Sequence, residues 1–293
     1  MNTFSRIHPG VTSVYFLTIL LFSMFVMNPV LELLTLLGGL LYCWSLTGWG
    51  NRLRDLGFYL LMVLLMALMN PLFSHNGKTP LFFMNGNAVT VEAIAYGGAM
   101  GVMVVGILLW CRSYSILMTS DKFVYLVGSA MPKLAVVLSS ALRYVPMLKR
   151  QARKVHRTQR AMGLYTSDSY ADRVRASLRV LSVLVSWSLE NAVETSHSMA
   201  ARGYGLAGRT NYSNFTVSGW DISLLVAILA LSGGTVAGLM AGALDFTWYP
   251  AVGGATLTPL GLFSYGCFGV LALLPVLLEW EERIRWNYSR SKI

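Results

Sequence analysis

Six long apolar runs separated by polar segments constrain this chain more than any other feature. A hydrocarbon core about 30 Å thick needs about 20 apolar residues of α-helix to cross it. Such runs cover residues 14–27, 30–46, 56–73, 91–110, 222–244 and 260–279. Hydrophobic residues make up 55% of the chain, charged residues 12%, and the mean hydropathy is +0.56, far from the averages of soluble domains. The sequence therefore predicts an all-α integral membrane protein with about six transmembrane helices.

The first two runs are short and meet at Asn28-Pro29, so they predict either two tilted spans or a hairpin. The distribution of Lys and Arg predicts the orientation, because short loops rich in these residues stay in the cytoplasm. With six spans, 22 of the 23 Lys and Arg fall on one side and only Lys78 falls on the other. We therefore expect both termini to be cytoplasmic; five spans would place the basic C-terminal tail outside.

A basic segment between the fourth and fifth runs predicts two long amphipathic helices on the cytoplasmic side. Its apolar residues recur at alternating steps of about four and three, which places them on one face of a helix. The first stripe comprises Leu134, Leu138, Ala141, Val145, Leu148, Ala152 and Val155, and the second comprises Val174, Leu178, Leu181, Val185, Leu189 and Ala192. The predicted organisation is transmembrane helices in 1–130, the two-helix module in 131–210, and transmembrane helices with a basic tail in 211–293.

Each amphipathic helix is predicted to end in a similar tripeptide, Ala161-Met162-Gly163 and Ala201-Arg202-Gly203. A Gly just past a helix is an ordinary stop signal. A helix end of this composition also suits docking, because Ala permits close approach, Gly turns the chain away, and Arg offers a forked donor to a carboxylate. Both interpretations hold for either tripeptide alone.

Several motifs in this order resemble the transmembrane T component, or energizer, of energy-coupling factor (ECF) transporters, of the cobalt-transporter subunit type. They are His8-Pro9, Arg143-Tyr144-Val145-Pro146, the segment 157–163 and Ala201-Arg202-Gly203-Tyr204. The resemblance implies two cytoplasmic coupling helices, each ending in an Ala-Arg-Gly motif that docks in a groove of an ABC-type ATPase subunit. It also implies a bacterial or archaeal cytoplasmic (inner) membrane protein that packs against a small substrate-binding membrane protein, the S component.

Carried over by residue, the resemblance implies ATPase docking by Ala201, Arg202 and Gly203, with Arg202 meeting acidic side chains. The other motif matches at Ala161 and Gly163, whereas Met162 stands where the family usually has Arg. Arg160 is a poor substitute, because two residues rotate a helix by about 200°. The departure implies asymmetric docking, onto two non-identical ATPases or with a weaker first contact. Residues expected to support the coupling helices are Arg143, Pro146, Gln159 and Arg160.

Small residues at helical spacing indicate close helix contacts in lipid. They are Gly97 and Gly101 in one run and Gly234, Gly238 and Gly242 in another. Their partner is either another helix of this chain or the S component. The implied function is ATP-driven uptake of a vitamin or transition metal, and the sequence does not distinguish these cargoes.

A catalytic role finds little support in the sequence. There is no phosphate-binding Gly-rich loop with Lys and Ser or Thr, so ATP and Mg are expected in the partner ATPases, with no cofactor or metal on this chain and no enzymatic activity. The net charge of +10 follows the topology, so lipid rather than nucleic acid is the expected anionic partner. The alternatives are the permease of an ordinary ABC importer, which normally uses one coupling helix, and an ion-coupled secondary carrier, which needs mid-membrane ionisable groups.

Overall fold

The computed structural model describes residues 4, 6–47, 52–84, 87–164, 169–206, 215–254 and 258–290. Its contacts divide the chain into two units, one formed by Met1–Thr119 with Phe215–Ile293 and the other by Ser120–Asn214. The domain boundary predicted at residue 210 lies outside the described residues. The first unit holds the six predicted apolar runs, and the second holds the basic segment.

Every apolar run of the first unit is a helix. The helices are α1 (Pro9–Phe25), α2 (Pro29–Leu46), α3 (Arg52–Phe73), α4 (Val91–Leu117), α8 (Gly219–Met240) and α9 (Pro259–Arg290). Within the described residues, five of them are long and apolar enough to cross a membrane, and α1 is apolar but has 17 residues. The predicted all-α membrane fold is therefore confirmed.

Short capped turns set where the first helices begin. His8 is the N-cap of α1, with its Nδ1 accepting the Gly10 amide and Pro9 in the first turn, a position that tolerates a missing N–H. Asn28 caps α2 by accepting the Val30 amide at 3.0 Å. The first two runs are thus separate helices joined by a short turn at Asn28.

A cluster of buried aromatic side chains forms the core of the first unit. Tyr15 and Phe16 of α1, Tyr42 of α2 and Trp110 of α4 are each at most 1% exposed. Their rings pack mostly edge to face, as in the Phe16–Trp110 pair with centroids 5.7 Å apart. Tyr15 donates to the Leu271 carbonyl at 2.9 Å, and Trp110 Nε1 donates to a carbonyl of α2 at 3.0 Å. These two polar groups are therefore satisfied inside an apolar core.

Two adjacent glycines let α2 pass close to its neighbours. A Cβ at Gly38 would lie 2.6 Å from the carbonyl oxygen of Ala272 in α9, and one at Gly39 would lie 3.1 Å from Trp110 of α4. The first distance is too short for any side chain. Gly38 therefore lets the backbones of α2 and α9 approach closely, as small residues do in membrane helix packing, and Gly39 leaves room for the Trp110 side chain.

Two features of the first unit were not predicted from the sequence. A two-stranded antiparallel hairpin, β1 (Pro80–Met84) and β2 (Asn87–Thr90), connects α3 to α4, with Phe83 paired to Ala88. In addition, α9 continues to Arg290, well past the apolar run. Both lie where hydropathy gives no signal, since the hairpin is short and the end of α9 is polar.

Candidate functional site

The second unit carries almost all of the net charge. It contains 14 Lys and Arg against five Asp and Glu, a net charge of +9, whereas the first unit has nine against eight. In the described part of this unit, the helices are α5 (Ser120–Ala130), α6 (Pro132–Ala161) and α7 (Tyr170–Ala201). The two amphipathic helices predicted from the sequence are α6 and α7, and α5 is an addition. On α5, burial lowers the pKa of the Lys122 ammonium.

The C-terminal end of α6, Ala161-Met162-Gly163, will be called the first tip. Met162 is the C-cap residue and Gly163 follows with φ +72°. The Gly163 amide donates to the Arg160 carbonyl at 3.1 Å, and the Leu164 amide donates to the Gln159 carbonyl at 3.1 Å. This pair of bonds defines a Schellman motif, which satisfies the last carbonyls of a helix.

The C-terminal end of α7, Ala201-Arg202-Gly203, will be called the second tip and has the same geometry. Arg202 is the C-cap residue and Gly203 has φ +80°. The Gly203 amide donates to the Ala200 carbonyl and the Tyr204 amide to the Met199 carbonyl, both at 3.0 Å. Ala, cap residue and Gly therefore occupy matching positions at both tips, so Met162 and Arg202 are structurally equivalent.

The side chains at both tips are exposed. Met162 is 72% exposed, and at the second tip Arg202, Tyr204 and Leu206 are all exposed, the last at 73%. A large apolar side chain on a solvated helix end costs free energy unless a partner covers it. The first tip thus presents an apolar contact and the second a cation flanked by apolar groups.

Two contacts fix the direction in which α6 and α7 pack. Tyr144 of α6 shares a hydrogen bond of 2.7 Å with Thr195 of α7. Further along α6, residues between Ala152 and Arg157 line a cleft with Ser177 and Val180 of α7. Later residues of α6 meet earlier residues of α7, so the helices run antiparallel where they pack.

Antiparallel packing places the two tips at opposite ends of the helix pair. Met162 lies 18 residues beyond Tyr144, and Arg202 lies seven residues beyond Thr195 in the other direction. At 1.5 Å per residue the tips are separated by roughly 40 Å along the pair.

The residues predicted to support the coupling helices lie at different points of α6. Pro146 lies inside the helix, which continues through it, and the guanidinium of Arg143 lies 5.9 Å from the centroid of the Tyr144 ring. Gln159 and Arg160 supply the two carbonyls that cap the first tip. Gln159 is 8% exposed, whereas the Arg160 side chain points into solvent. The first tip is therefore built on Gln159 and Arg160.

Gly97 and Gly101 pack α4 against α3. A Cβ at Gly97 would lie 2.8 Å from the Met66 carbonyl oxygen, and one at Gly101 would lie 2.8 Å from the Cα of Val63. Real Cβ atoms do not approach so closely, so any side chain would push the helices apart. This ridge is covered by the chain's own α3.

The glycines of α8 divide into two roles. Gly234 and Gly238 face α9, and a Cβ at Gly238 would lie 2.6 Å from the Cβ of Ser264. Gly242 follows the last residue of α8, Met240, and has φ +67°. It therefore ends the helix and is not part of the ridge.

Within the described residues, no group of three His, Cys, Asp or Glu could hold a metal ion.

Tyr144 and Thr195 were not singled out as site residues from the sequence. Tyr144 belongs to the Arg143-Tyr144-Val145-Pro146 motif, but nothing in one sequence pairs it with a hydroxyl 51 residues away. In the structure this hydrogen bond joins the two helices directly. It is the contact most easily tested without changing the charge of either tip.

We expect Tyr144→Phe to weaken the packing of α6 on α7 modestly. The variant loses the hydrogen bonds of the hydroxyl to Thr195 and to the Asn191 carbonyl but keeps the ring. A hydrogen bond of this kind contributes about 0.5–1.5 kcal/mol. Thermal unfolding of the purified protein in detergent should show a lower midpoint. Thr195→Val should give a similar decrease, and the double variant should be no worse than the more damaging single one. Additive decreases would contradict a direct contact.

Comparison with known proteins adds to this geometry. The cobalt transport protein family matches residues 1–212 of the chain. An energy-coupling factor transporter transmembrane protein of Bacillus subtilis is 34% identical over 102 residues, 34% of this chain and 38% of the relative. Its counterpart in Listeria innocua is 28% identical over 184 residues, 58% of this chain and 69% of the relative. One in Lactobacillus helveticus is 37% identical over 103 residues, 34% of this chain and 37% of the relative.

The match therefore spans less than two fifths of the Bacillus and Lactobacillus relatives and about two thirds of the Listeria relative. The family match includes α1–α7 with both tips. Because it covers well over half of the chain and agrees with the all-α membrane fold, the chain belongs to the cobalt transport protein family, as a T component of an energy-coupling factor transporter.

Proposed function

We propose that this chain transmits movement from two ABC-type ATPase subunits to a small substrate-binding membrane protein, the S component. The observation that carries the proposal is the pair of identically capped tips at opposite ends of an antiparallel helix pair. A single docking helix would present one such end. Two ends roughly 40 Å apart along the pair suit two ATPase subunits, each holding one tip in a groove.

The mechanism follows from the stiffness of these helices. α6 and α7 have 30 and 32 residues, and they contact each other at two places along their length. When ATP binding and hydrolysis move the ATPases together and apart, tips held in their grooves move with them. The displacement is carried by helices that do not bend easily, and it reorients the S component so that the cargo is released inward.

In this proposal the chain is a mechanical subunit without catalytic residues. ATP and Mg are bound by the ATPases, and a vitamin or transition metal is bound by the S component. The S component packs on apolar helix faces in the membrane. Gly97, Gly101, Gly234 and Gly238 are excluded from that contact, because helices of the chain itself cover them.

The orientation is also part of the proposal. The second unit has a net charge of +9, and charge of this sign is retained in the cytoplasm. Both termini are then cytoplasmic as well. The apolar helices α1–α4 precede the second unit and α8 and α9 follow it, so an even number of crossings lies on each side of it. This orientation places the tips where ATPase subunits and ATP are found.

Affinity purification from detergent-solubilised membranes of cells that make the protein naturally tests the proposal. The tagged wild-type chain should retain one or two kinds of ATPase subunit and a small membrane protein, each identified by mass spectrometry. Recovery of the chain alone, or only as a self-associated dimer, would contradict the proposal. A dimer that binds ATPases would favour the permease of an ordinary ABC importer.

We expect Met162→Arg to strengthen ATPase retention, because it gives the first tip the cation that the second tip already has. Met162 is equivalent to Arg202 in its capped end, so Arg fits the backbone there without strain. A new charge-assisted hydrogen bond to a carboxylate should increase retention up to about tenfold. The ratio of ATPase to tagged chain after graded salt washes measures this. Met162→Gln, which is polar but uncharged, is the control and should not increase retention.

A further inference from the structure

The second unit has a cleft between α6 and α7 that the tips do not explain. Its volume is about 380 Å³, and it is lined by Ala152, Arg153, His156, Arg157, Ser177 and Val180. Arg153 and Arg157 make its α6 side basic, and Ala152 and Val180 contribute apolar surface. Neither the family resemblance nor the tip geometry assigns a role to it.

The two arginines of this cleft repel each other and so destabilise α6. Arg153 and Arg157 are four residues apart on α6, where like charges repel each other. Both are exposed, and within the part of the chain that the structure describes neither forms an ion pair. Arg153 Nε donates to the Lys149 carbonyl of its own helix at 3.3 Å. Two guanidinium groups beside apolar surface suit an anion with two oxygens, such as a carboxylate.

We propose that this cleft receives an acidic side chain of the ATPase subunit that docks on the first tip, which rests on the proposed function. Arg157 precedes Met162 by five residues, about 7.5 Å along the helix axis. A partner that covers a tip with a typical interface of about 800 Å² on each side extends that far. The first tip with the cleft then has the usual anatomy of an interface, an apolar centre with a charged rim.

The proposal accounts for the absence of a cation at the first tip. At the second tip the charge lies on the cap residue Arg202, and at the first tip the cap residue is Met162. The ionic contact with the ATPase is therefore moved from the end of the helix to its side. Arg160 lies closer to the tip but does not line the cleft.

The test compares two double variants with the same loss of charge. Arg153→Gln with Arg157→Gln removes the cations of the cleft, whereas Arg150→Gln with Lys154→Gln removes two exposed cations of α6 that do not line it. Each tagged protein is reconstituted in nanodiscs of phosphatidylcholine alone and assayed for retention of the purified ATPase subunits. We expect the cleft variant to retain about tenfold less ATPase than the wild type, and the control to stay within about twofold.

Equal retention by the two double variants would overturn the proposal while leaving the proposed function intact, because the wild type still binds. Failure of the wild type to retain any ATPase would overturn both. A second set of nanodiscs contains phosphatidylglycerol, whose phosphate offers the same chemistry as a carboxylate. A difference between the variants seen only in these nanodiscs would assign the cleft to a lipid headgroup and would overturn the proposal.

Discussion

Arg202→Glu is expected to release the ATPase subunit from the second tip and to abolish transport. Arg202 is exposed at the capped end of α7, where its guanidinium can form two parallel hydrogen bonds with a partner carboxylate. Glutamate reverses the charge and places two anions in contact. Truncating one partner of a buried charge pair costs about 2–5 kcal/mol, so retention of that ATPase should fall by about 30-fold or more. Uptake of the cargo by cells should fall in parallel.

Arg179→Glu is the matched control for this prediction. Arg179 is an exposed arginine of α7 that lies 23 residues before the tip, and its reversal changes the net charge by the same amount. Retention near the wild-type value in this variant would show that the effect of Arg202 is local. Normal assembly and uptake by Arg202→Glu would remove the docking role from the second tip.

The transmembrane part of the fold could be predicted from the sequence because its physical signal is strong. Long apolar runs are rare by chance, and each of the six coincides with a helix. The contacts among these helices could not be predicted. Gly38-Gly39 gives no stronger signal than other glycine pairs, yet a Cβ at Gly38 would lie 2.6 Å from the backbone of α9. Close approach depends on which helices are neighbours, which hydropathy does not encode.

Glycine spacing illustrates the same limit. Gly234, Gly238 and Gly242 recur every four residues and predict one continuous ridge. In the structure α8 ends at Met240, so Gly242 is a helix stop with φ +67° and only the first two face α9. The sequence does not distinguish a glycine that continues a ridge from one that ends a helix. Only the length of the helix distinguishes them.

The tips were more predictable than the surface between them. Ala-x-Gly at the end of a periodic helix predicts a capped end, and both ends have that form. The antiparallel packing of α6 and α7 was not predicted, because it depends on Tyr144 meeting Thr195 and on the residues that line the cleft. This packing is what separates the two tips along the helix pair.

Within the two Ala-x-Gly tripeptides, the tips differ only in the cap residue. Both caps have nearly the same backbone, with φ −78° at Met162 and φ −84° at Arg202. At the cap position the tips therefore differ in the charge and shape of one side chain and not in backbone conformation. This is why changes of charge and changes of backbone are expected to have separable effects.

Gly203→Val should damage the second tip through its backbone while leaving Arg202 in place. Gly203 has φ +80°, a left-handed conformation that a β-branched residue adopts only with strain. Holding a residue in such a conformation costs about 1–3 kcal/mol, so the Schellman bonds should open and the end of α7 should fray. Retention of the ATPase on the second tip should fall by about tenfold, measured in the same salt-wash assay as for Arg202→Glu.

Gly203→Asn separates the conformational requirement from any need for a missing side chain. Asn tolerates left-handed backbone better than other residues with a Cβ, and a Cβ here would lie 3.0 Å from the flexible end of Leu206. It should therefore keep most of the retention that Val loses, and Gly163→Val should cause the corresponding loss at the first tip. If Val and Asn at Gly203 were equally harmful, the groove would be selecting for small size instead of for the turn. If neither variant reduced retention, the ATPase would not bind the capped end of α7.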